Sequence, residues 1–122
     1  MDELIELVIE EAYKLRSNAT KEELSLLNFS LLAPKITTRC IYGQMAGHCY
    51  SKRAIELLGS CAKPYSQELD RYRPNVKTDF SEDIFRSFSA IEFYISLKEA
   101  KNDTLISFLK GERSDLLIND LI

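Results

Sequence analysis

The residues of this 122-residue chain that are best suited to chemistry lie together between positions 39 and 53. This 39–53 segment reads Arg-Cys-Ile-Tyr-Gly-Gln-Met-Ala-Gly-His-Cys-Tyr-Ser-Lys-Arg. It holds two of the three cysteines, the single histidine, two of the four glycines and two of the six tyrosines. Such a set suits metal binding, cysteine catalysis, anion binding or recognition of a partner.

Four residues of suitable type for a metal site follow the spacing Cys-x7-His-Cys-x11-Cys: Cys40, His48, Cys49 and Cys61. Structural zinc sites generally take cysteines in close pairs such as Cys-x2-Cys, so that one loop wraps the ion. Adjacent His48 and Cys49 side chains do not readily face one ion, and we expect neither a metal nor a cofactor. A cysteine-dependent enzyme with His48 as the base is a second alternative. No family-specific cysteine signature supports it.

Anion binding is the first alternative function. Ser51 is placed to begin a helix, and helix N-termini attract anions through their free amide groups. The glycines of residues 43–47 are too few for a dinucleotide loop and lack the Gly-Lys-Ser/Thr end of a P-loop. A sensor or binder of a nucleotide or other anionic small ligand would use cations around the phosphate and a tyrosine on the base, from the set Arg39, Tyr42, His48, Tyr50, Lys52 and Arg53.

We favour a small non-catalytic interaction protein that acts through the 39–53 segment. The expected partner is a protein, with a homodimer or an anionic small ligand as alternatives. Small accessory proteins of phages and mobile elements, which inhibit or adapt larger assemblies, have this size and lack of motif, and we take such a role as a hypothesis. The predicted ligand- or partner-binding residues are Arg39, Tyr42, Gln44, His48, Tyr50, Lys52 and Arg53.

Charge and composition narrow the other classes of function. Sixteen basic and nineteen acidic residues give a formal charge of −3, which disfavours a nucleic-acid binder. The chain is acidic at its start and basic in the middle, a pattern that suits an anionic ligand or the acidic helix of another subunit. No apolar run reaches the ~18 residues of a membrane span. The start Met-Asp-Glu is unlike a signal peptide, and three irregularly spaced cysteines favour a reducing compartment, so we expect a cytoplasmic protein.

The pattern of apolar residues predicts a mainly α fold, a single domain over residues 1–122 built as a compact bundle of five or six helices. We expect a first helix over 2–17, and a second from the Thr20 capping box to about Leu32. For residues 36–42 the sequence leaves two alternatives open: a short β element, or a helix or extended connector. Residues 43–47 are expected to form a loop, residues 52–61 a helix capped by Ser51, and residues 63–80 a long connector.

The C-terminal third carries the clearest apolar periodicity. Ile84, Phe88, Ile91 and Ile95 recur at helical spacing after a second capping box at residues 79–82. Asn102 or Asp103 is expected to cap a last helix that Gly111 ends. The apolar tail at residues 116–122 either docks on the core or enters another subunit. We interpret the acidic pairs at 10–11 and 22–23 as solvated surface.

Overall fold

The computed structural model describes residues 2–28, 30–32, 38–48, 51–61, 63–64, 87–98 and 103–122. The fold is mainly α, as the sequence predicts, with seven helices in this described part. The predicted connector at 63–80 lies outside the described part from residue 65 onwards. The elements are α1 (Asp2–Asn18), α2 (Lys21–Ser25), α3 (Ile41–Ala46), α4 (Lys52–Cys61), β1 (Lys63–Pro64), β2 (Ser87–Phe88), α5 (Ala90–Lys98), α6 (Asp103–Leu109) and α7 (Ile118–Leu121).

Helix α1 is the centre of the core. Its Leu4, Val8, Ala12 and Leu15 side chains are completely buried. Helices α4, α5, α6 and α7 all pack against it. The expected first helix is therefore confirmed. Its apolar face is wide because four helices cover it.

Local capping signals set several helix ends where the sequence predicts them. Thr20 and Glu23 form a reciprocal capping box at the start of α2. The Ser51 hydroxyl accepts the Ala54 N–H at 3.2 Å and begins α4. At the end of α6, Gly111 has φ +81°, a conformation that favours glycine. The backbone bonds from Gly111 to Phe108 and from Glu112 to Ser107 complete a Schellman motif.

Helix α2 is shorter than expected, because it ends at Ser25 and does not continue to Leu32. The Asn28 side chain accepts hydrogen bonds from both the N–H and the hydroxyl of Ser30, at 3.1 and 2.6 Å. Asparagine bonds of this kind compete with the helical backbone. The turn at Asn28 gives a physical reason for the early end of the helix.

Residues 41–46 form helix α3, so the expected loop at 43–47 is wrong. The Cys40 sulfur accepts the Gly43 N–H at 3.3 Å as an N-cap, and Gly47 ends the helix at φ +85°. The alternative of a short β element at 36–42 is also wrong for residues 38–42, which the structure describes. Ile41 and Tyr42 are helical and residues 38–40 form a turn, whereas residues 36–37 lie outside the described part.

Helix α5 begins at Ala90, later than the periodicity of Ile84 and Phe88 suggests. Ser87 and Phe88 instead pair antiparallel with Lys63 and Pro64 in a two-residue ladder. The Ser89 hydroxyl then accepts the Glu92 N–H at 3.3 Å as a helix cap. The second capping box at 79–82 and Ile84 lie outside the described residues.

The apolar C-terminal tail docks on its own core through two residues. Leu116 and Leu121 are buried, and the Tyr94 hydroxyl donates to the Leu121 carbonyl at 2.7 Å. Leu117, Ile118 and Ile122 remain exposed. The longest described helix, α1, is polar along one side, and the described chain contains no helix with the length and apolarity to cross a bilayer.

Candidate functional site

A buried carboxylate lies beneath the 39–53 segment. Glu11 on α1 is only 2% exposed, although its acidic neighbours reach solvent. Its Oε2 accepts the hydroxyls of Tyr42 at 2.8 Å and Ser89 at 2.7 Å, and its Oε1 accepts the Ile91 N–H at 3.2 Å. Glu11 thus joins α1 to α3 and to the N-terminus of α5. The prediction that the 10–11 pair is solvated surface is wrong at Glu11.

A second carboxylate, Glu92 in the first turn of α5, performs the equivalent role for α3. Its Oε1 accepts the Ile41 N–H at 3.0 Å at the start of that helix. Cys40, which caps α3 with its sulfur, also hydrogen-bonds to Glu92. Each carboxylate therefore satisfies amide groups at the N-terminus of a neighbouring helix, groups that would otherwise lack partners.

Burial raises the pKa of all three side chains at the centre of this network, Glu11, Glu92 and Tyr42. It raises the pKa of Glu11 to about 7, against the lowering effect of the Ser89 and Tyr42 hydroxyls. It raises the pKa of Glu92 to about 8, and the charge of Glu11 adds to that rise. Burial followed by the charge of Glu11 raises the pKa of Tyr42 well above its usual value. The Tyr42 ring is 3% exposed, so this residue belongs to the core and not to an outer surface.

Gln44, another predicted binding residue, bonds the backbone of the chain. Its Oε1 accepts the Asn28 N–H at 2.7 Å, and its Nε2 donates to the carbonyls of Asn28 at 3.1 Å and Arg39 at 2.9 Å. Three hydrogen bonds engage this amide. Gln44 therefore fixes the path between α2 and α3.

Arg53 is likewise engaged within the protein. Its Nε and Nη2 atoms each lie 2.8 Å from a different oxygen of Glu23, and its Nη1 donates to Glu56 at 2.7 Å. A further bond from Nη2 reaches the Asn18 carbonyl at 3.1 Å. The hydrogen bond from Arg53 lowers the pKa of Glu23 to about 2. Arg53 thereby connects α4 to α2 and to the end of α1.

The thiols show no arrangement for nucleophilic catalysis within the described part. Cys40 and Cys61 are buried and form no disulfide bond among the described residues. Burial raises the pKa of Cys61, the reverse of what an activated thiolate needs. The described residues include no group of three or more histidine, cysteine or acidic side chains that could hold a metal ion. Cys49 and Tyr50 lie outside these residues.

Two cations of the segment face outward. Arg39 in the turn before α3 and Lys52 at the start of α4 are exposed, and the described structure gives neither of them an ion pair. We call Arg39 and Lys52 the outer cations. His48, between them in sequence, is half-buried, and its carbonyl accepts the Ser51 N–H at 3.0 Å. The segment thus combines inward-facing residues that hold the fold with two exposed positive charges.

Sequence reasoning missed Glu11, Ser89 and Glu92. A signal for Glu11 was present, because it lies on the same helical line as Leu4, Val8 and Leu15 and so at a buried position. Ser89 and Glu92 depend on which elements meet α1, and no local pattern carries that information.

Comparisons with protein-family models, with curated proteins and with solved structures gave no match.

Proposed function

We propose that this protein is a non-catalytic interaction protein that binds an acidic protein partner through the outer cations Arg39 and Lys52. The observation that carries the proposal is the exposure of these two side chains without an ion pair in the described part. Uncompensated surface charges of one sign attract a partner of the opposite sign and fix its orientation. We assign the half-buried His48, which lies between them in sequence, to the same proposed surface, whereas the predicted binding residue Tyr50 lies outside the described residues.

The engaged state of Arg53 favours a protein partner over an anionic small ligand. A phosphate pocket at the start of α4 would need Arg53, which is already held by Glu23 and Glu56. Ser51 also uses its hydroxyl on the first turn of α4. The remaining outer cations suit a broad acidic surface better than one compact anion. Binding of an anionic small ligand remains the alternative function, and the melting-temperature measurement described next detects it.

The test compares charge-reversed variants in affinity enrichment from a native lysate. We expect a protein that wild type retains to be lost with R39E/K52E and retained by K21E/K110E, which reverses two exposed lysines elsewhere. Equal retention by R39E/K52E would contradict the proposal. A rise in melting temperature with inorganic phosphate or ATP that R39E/K52E abolishes would instead favour the small-ligand alternative.

Two further parts of the interaction hypothesis stay as proposals. The thiols of Cys40 and Cys61, which form no disulfide among the described residues, support a reducing compartment such as the cytoplasm. The exposed Leu117, Ile118 and Ile122 side chains support self-association of the tail. Light scattering of the purified chain tests the homodimer directly. A role as an accessory or inhibitor protein of a phage or mobile element depends on identifying the partner.

A further inference from the structure

The chain that follows α2 carries two pairs of adjacent leucines, and each pair has one buried and one exposed member. Leu27 and Leu32 are buried in the core. Leu26 and Leu31 remain 58% and 52% exposed. A single exposed leucine is ordinary on a protein surface, whereas exposed apolar side chains grouped beside polar ones are typical of an interaction site.

Asn28 brings the two exposed leucines and an outer cation together. Leu26 lies two residues before Asn28, and the Leu31 N–H donates to the Asn28 carbonyl at 3.2 Å. The Gln44 Nε2 donates to the same carbonyl at 3.1 Å and to the Arg39 carbonyl at 2.9 Å. Because one nitrogen atom contacts both carbonyl oxygens, the main chain of Arg39 lies beside this turn. We call Leu26, Leu31 and Arg39 the turn face.

The turn face has a positive charge on one side and a negative charge on the other. Arg39 is exposed, and the described structure gives its side chain no hydrogen bond or ion pair. Glu22 is exposed on α2, four residues before Leu26 and therefore on the same side of that helix. The next acidic residue, Glu23, is already paired with Arg53.

We propose that the turn face binds an acidic amphipathic helix of the partner protein, which covers Leu26 and Leu31 with apolar side chains and pairs a carboxylate with Arg39. This inference rests on the proposed function, because Arg39 is one of the outer cations. A helix presents apolar side chains along one side at intervals of three and four residues, so it covers both leucines while an acidic neighbour reaches the cation. Glu22 repels carboxylates, so the acidic residues of the bound helix lie towards Arg39.

Uniformly charged polyanions match the turn face less well. A nucleic-acid strand carries negative charge along its whole length, and an anionic bilayer carries it across its whole surface. Either would place negative charge against Glu22, which is exposed. A protein helix avoids this repulsion because its acidic residues can lie at one end.

The first experiment measures the affinity of the full chain for a fluorescein-labelled peptide by fluorescence anisotropy. The probe is a helix-forming peptide of about 18 residues with leucines at i, i+3, i+4 and i+7 and with glutamates and alanines elsewhere. L26S/L31S should weaken binding by about tenfold or more. L117S/I122S, which removes two exposed apolar side chains of the tail, should leave the affinity within about twofold of wild type. No binding to wild type, or equal losses in the two variants, would overturn the proposal.

The charge component is tested with a second peptide in which lysine replaces glutamate. Wild type should prefer the glutamate peptide, and Arg39→Glu should reduce this preference by about tenfold. A preference that Arg39→Glu leaves unchanged would contradict the pairing with Arg39.

NMR of the unaltered chain provides a readout that does not depend on the folding of any variant. Addition of the glutamate peptide should shift the amide signals of Leu31 and Arg39 and leave the amide signal of Lys110, at the end of α6, in place. Shifts at Lys110 without shifts at Leu31 and Arg39 would overturn the proposal.

Affinity enrichment from the native lysate separates this inference from the proposed function. Loss of the partner with both R39E/K52E and L26S/L31S supports the two together. Loss with R39E/K52E and full retention by L26S/L31S would show that the turn face is not the docking site, while the proposed function stands. Retention of the partner by R39E/K52E would contradict the proposed function itself.

Discussion

The Gln44 side chain bonds both backbone groups of Asn28, accepting its N–H at 2.7 Å and donating to its carbonyl at 3.1 Å. Because an amide carries an acceptor and a donor side by side, this single side chain pairs with the backbone of Asn28 as a neighbouring strand would. It thereby fixes the path of the chain between α2 and α3. A residue predicted to meet a partner therefore holds the fold. The same distinction between inner and outer residues applies to the described residues of the 39–53 segment.

Gln44→Glu should destabilise the protein by about 1 to 2 kcal/mol, because the carboxylate cannot donate to the Asn28 and Arg39 carbonyls. Urea unfolding at pH 7 measures the change. Asn119→Asp is the matched control, since Asn119 is an exposed amide on α7 and its change should cost less than about 0.5 kcal/mol. Equal losses in the two variants would show that the bonds of Gln44 to the loop contribute nothing.

Glu23 should titrate at about pH 2, because Arg53 bonds both of its oxygens and stabilises the ionised form. Its contribution to stability is present above an ordinary pKa of about 4.5 and is lost as the pH falls towards 2. In Arg53→Lys one ammonium replaces the two-point contact, so the pKa of Glu23 should rise towards 4.5. Carboxyl-detected NMR titration of wild type and Arg53→Lys measures this value. A Glu23 pKa that does not change in Arg53→Lys would refute the assigned pairing.

Two glycine substitutions should have opposite effects. Gly59→Ala should stabilise by about 0.5 to 1 kcal/mol, because this exposed position is inside α4 and an added Cβ meets nothing within 4 Å. Gly111→Ala should destabilise by about 1 kcal/mol, because its φ of +81° is strained for any residue with a side chain. Thermal unfolding of both variants checks the signs. A gain from Gly111→Ala would contradict the helix end described here.

The sequence predicted the features that local chemistry determines. Thr20 with Glu23, Ser51 and Gly111 act through atoms within a few residues, so their patterns are readable from the chain alone. Helix α3 was missed because one glycine, Gly43, lies inside it and another, Gly47, ends it, and because part of what stabilises it, the Glu92 carboxylate, comes from 51 residues away.

The candidate site was harder to predict for the same reason. Residue types placed Tyr42 and Arg53 among binding residues, but their roles depend on Glu11 and Glu23, 31 and 30 residues distant. Long-range pairing of this kind leaves no mark in spacing or composition. What the residue types did indicate is an unusual density of polar chemistry in the 39–53 segment, and the structure uses much of it internally.

The most direct test of the account measures stability and partner retention on one preparation of R39E/K52E. The described structure shows no hydrogen bond or ion pair of the Arg39 and Lys52 side chains, so the free energy of unfolding should stay within about 0.5 kcal/mol of wild type. Partner retention in the affinity enrichment should fall more than tenfold. A folded R39E/K52E protein that retains the same partner as wild type would contradict the central claim that these two charges form the binding surface.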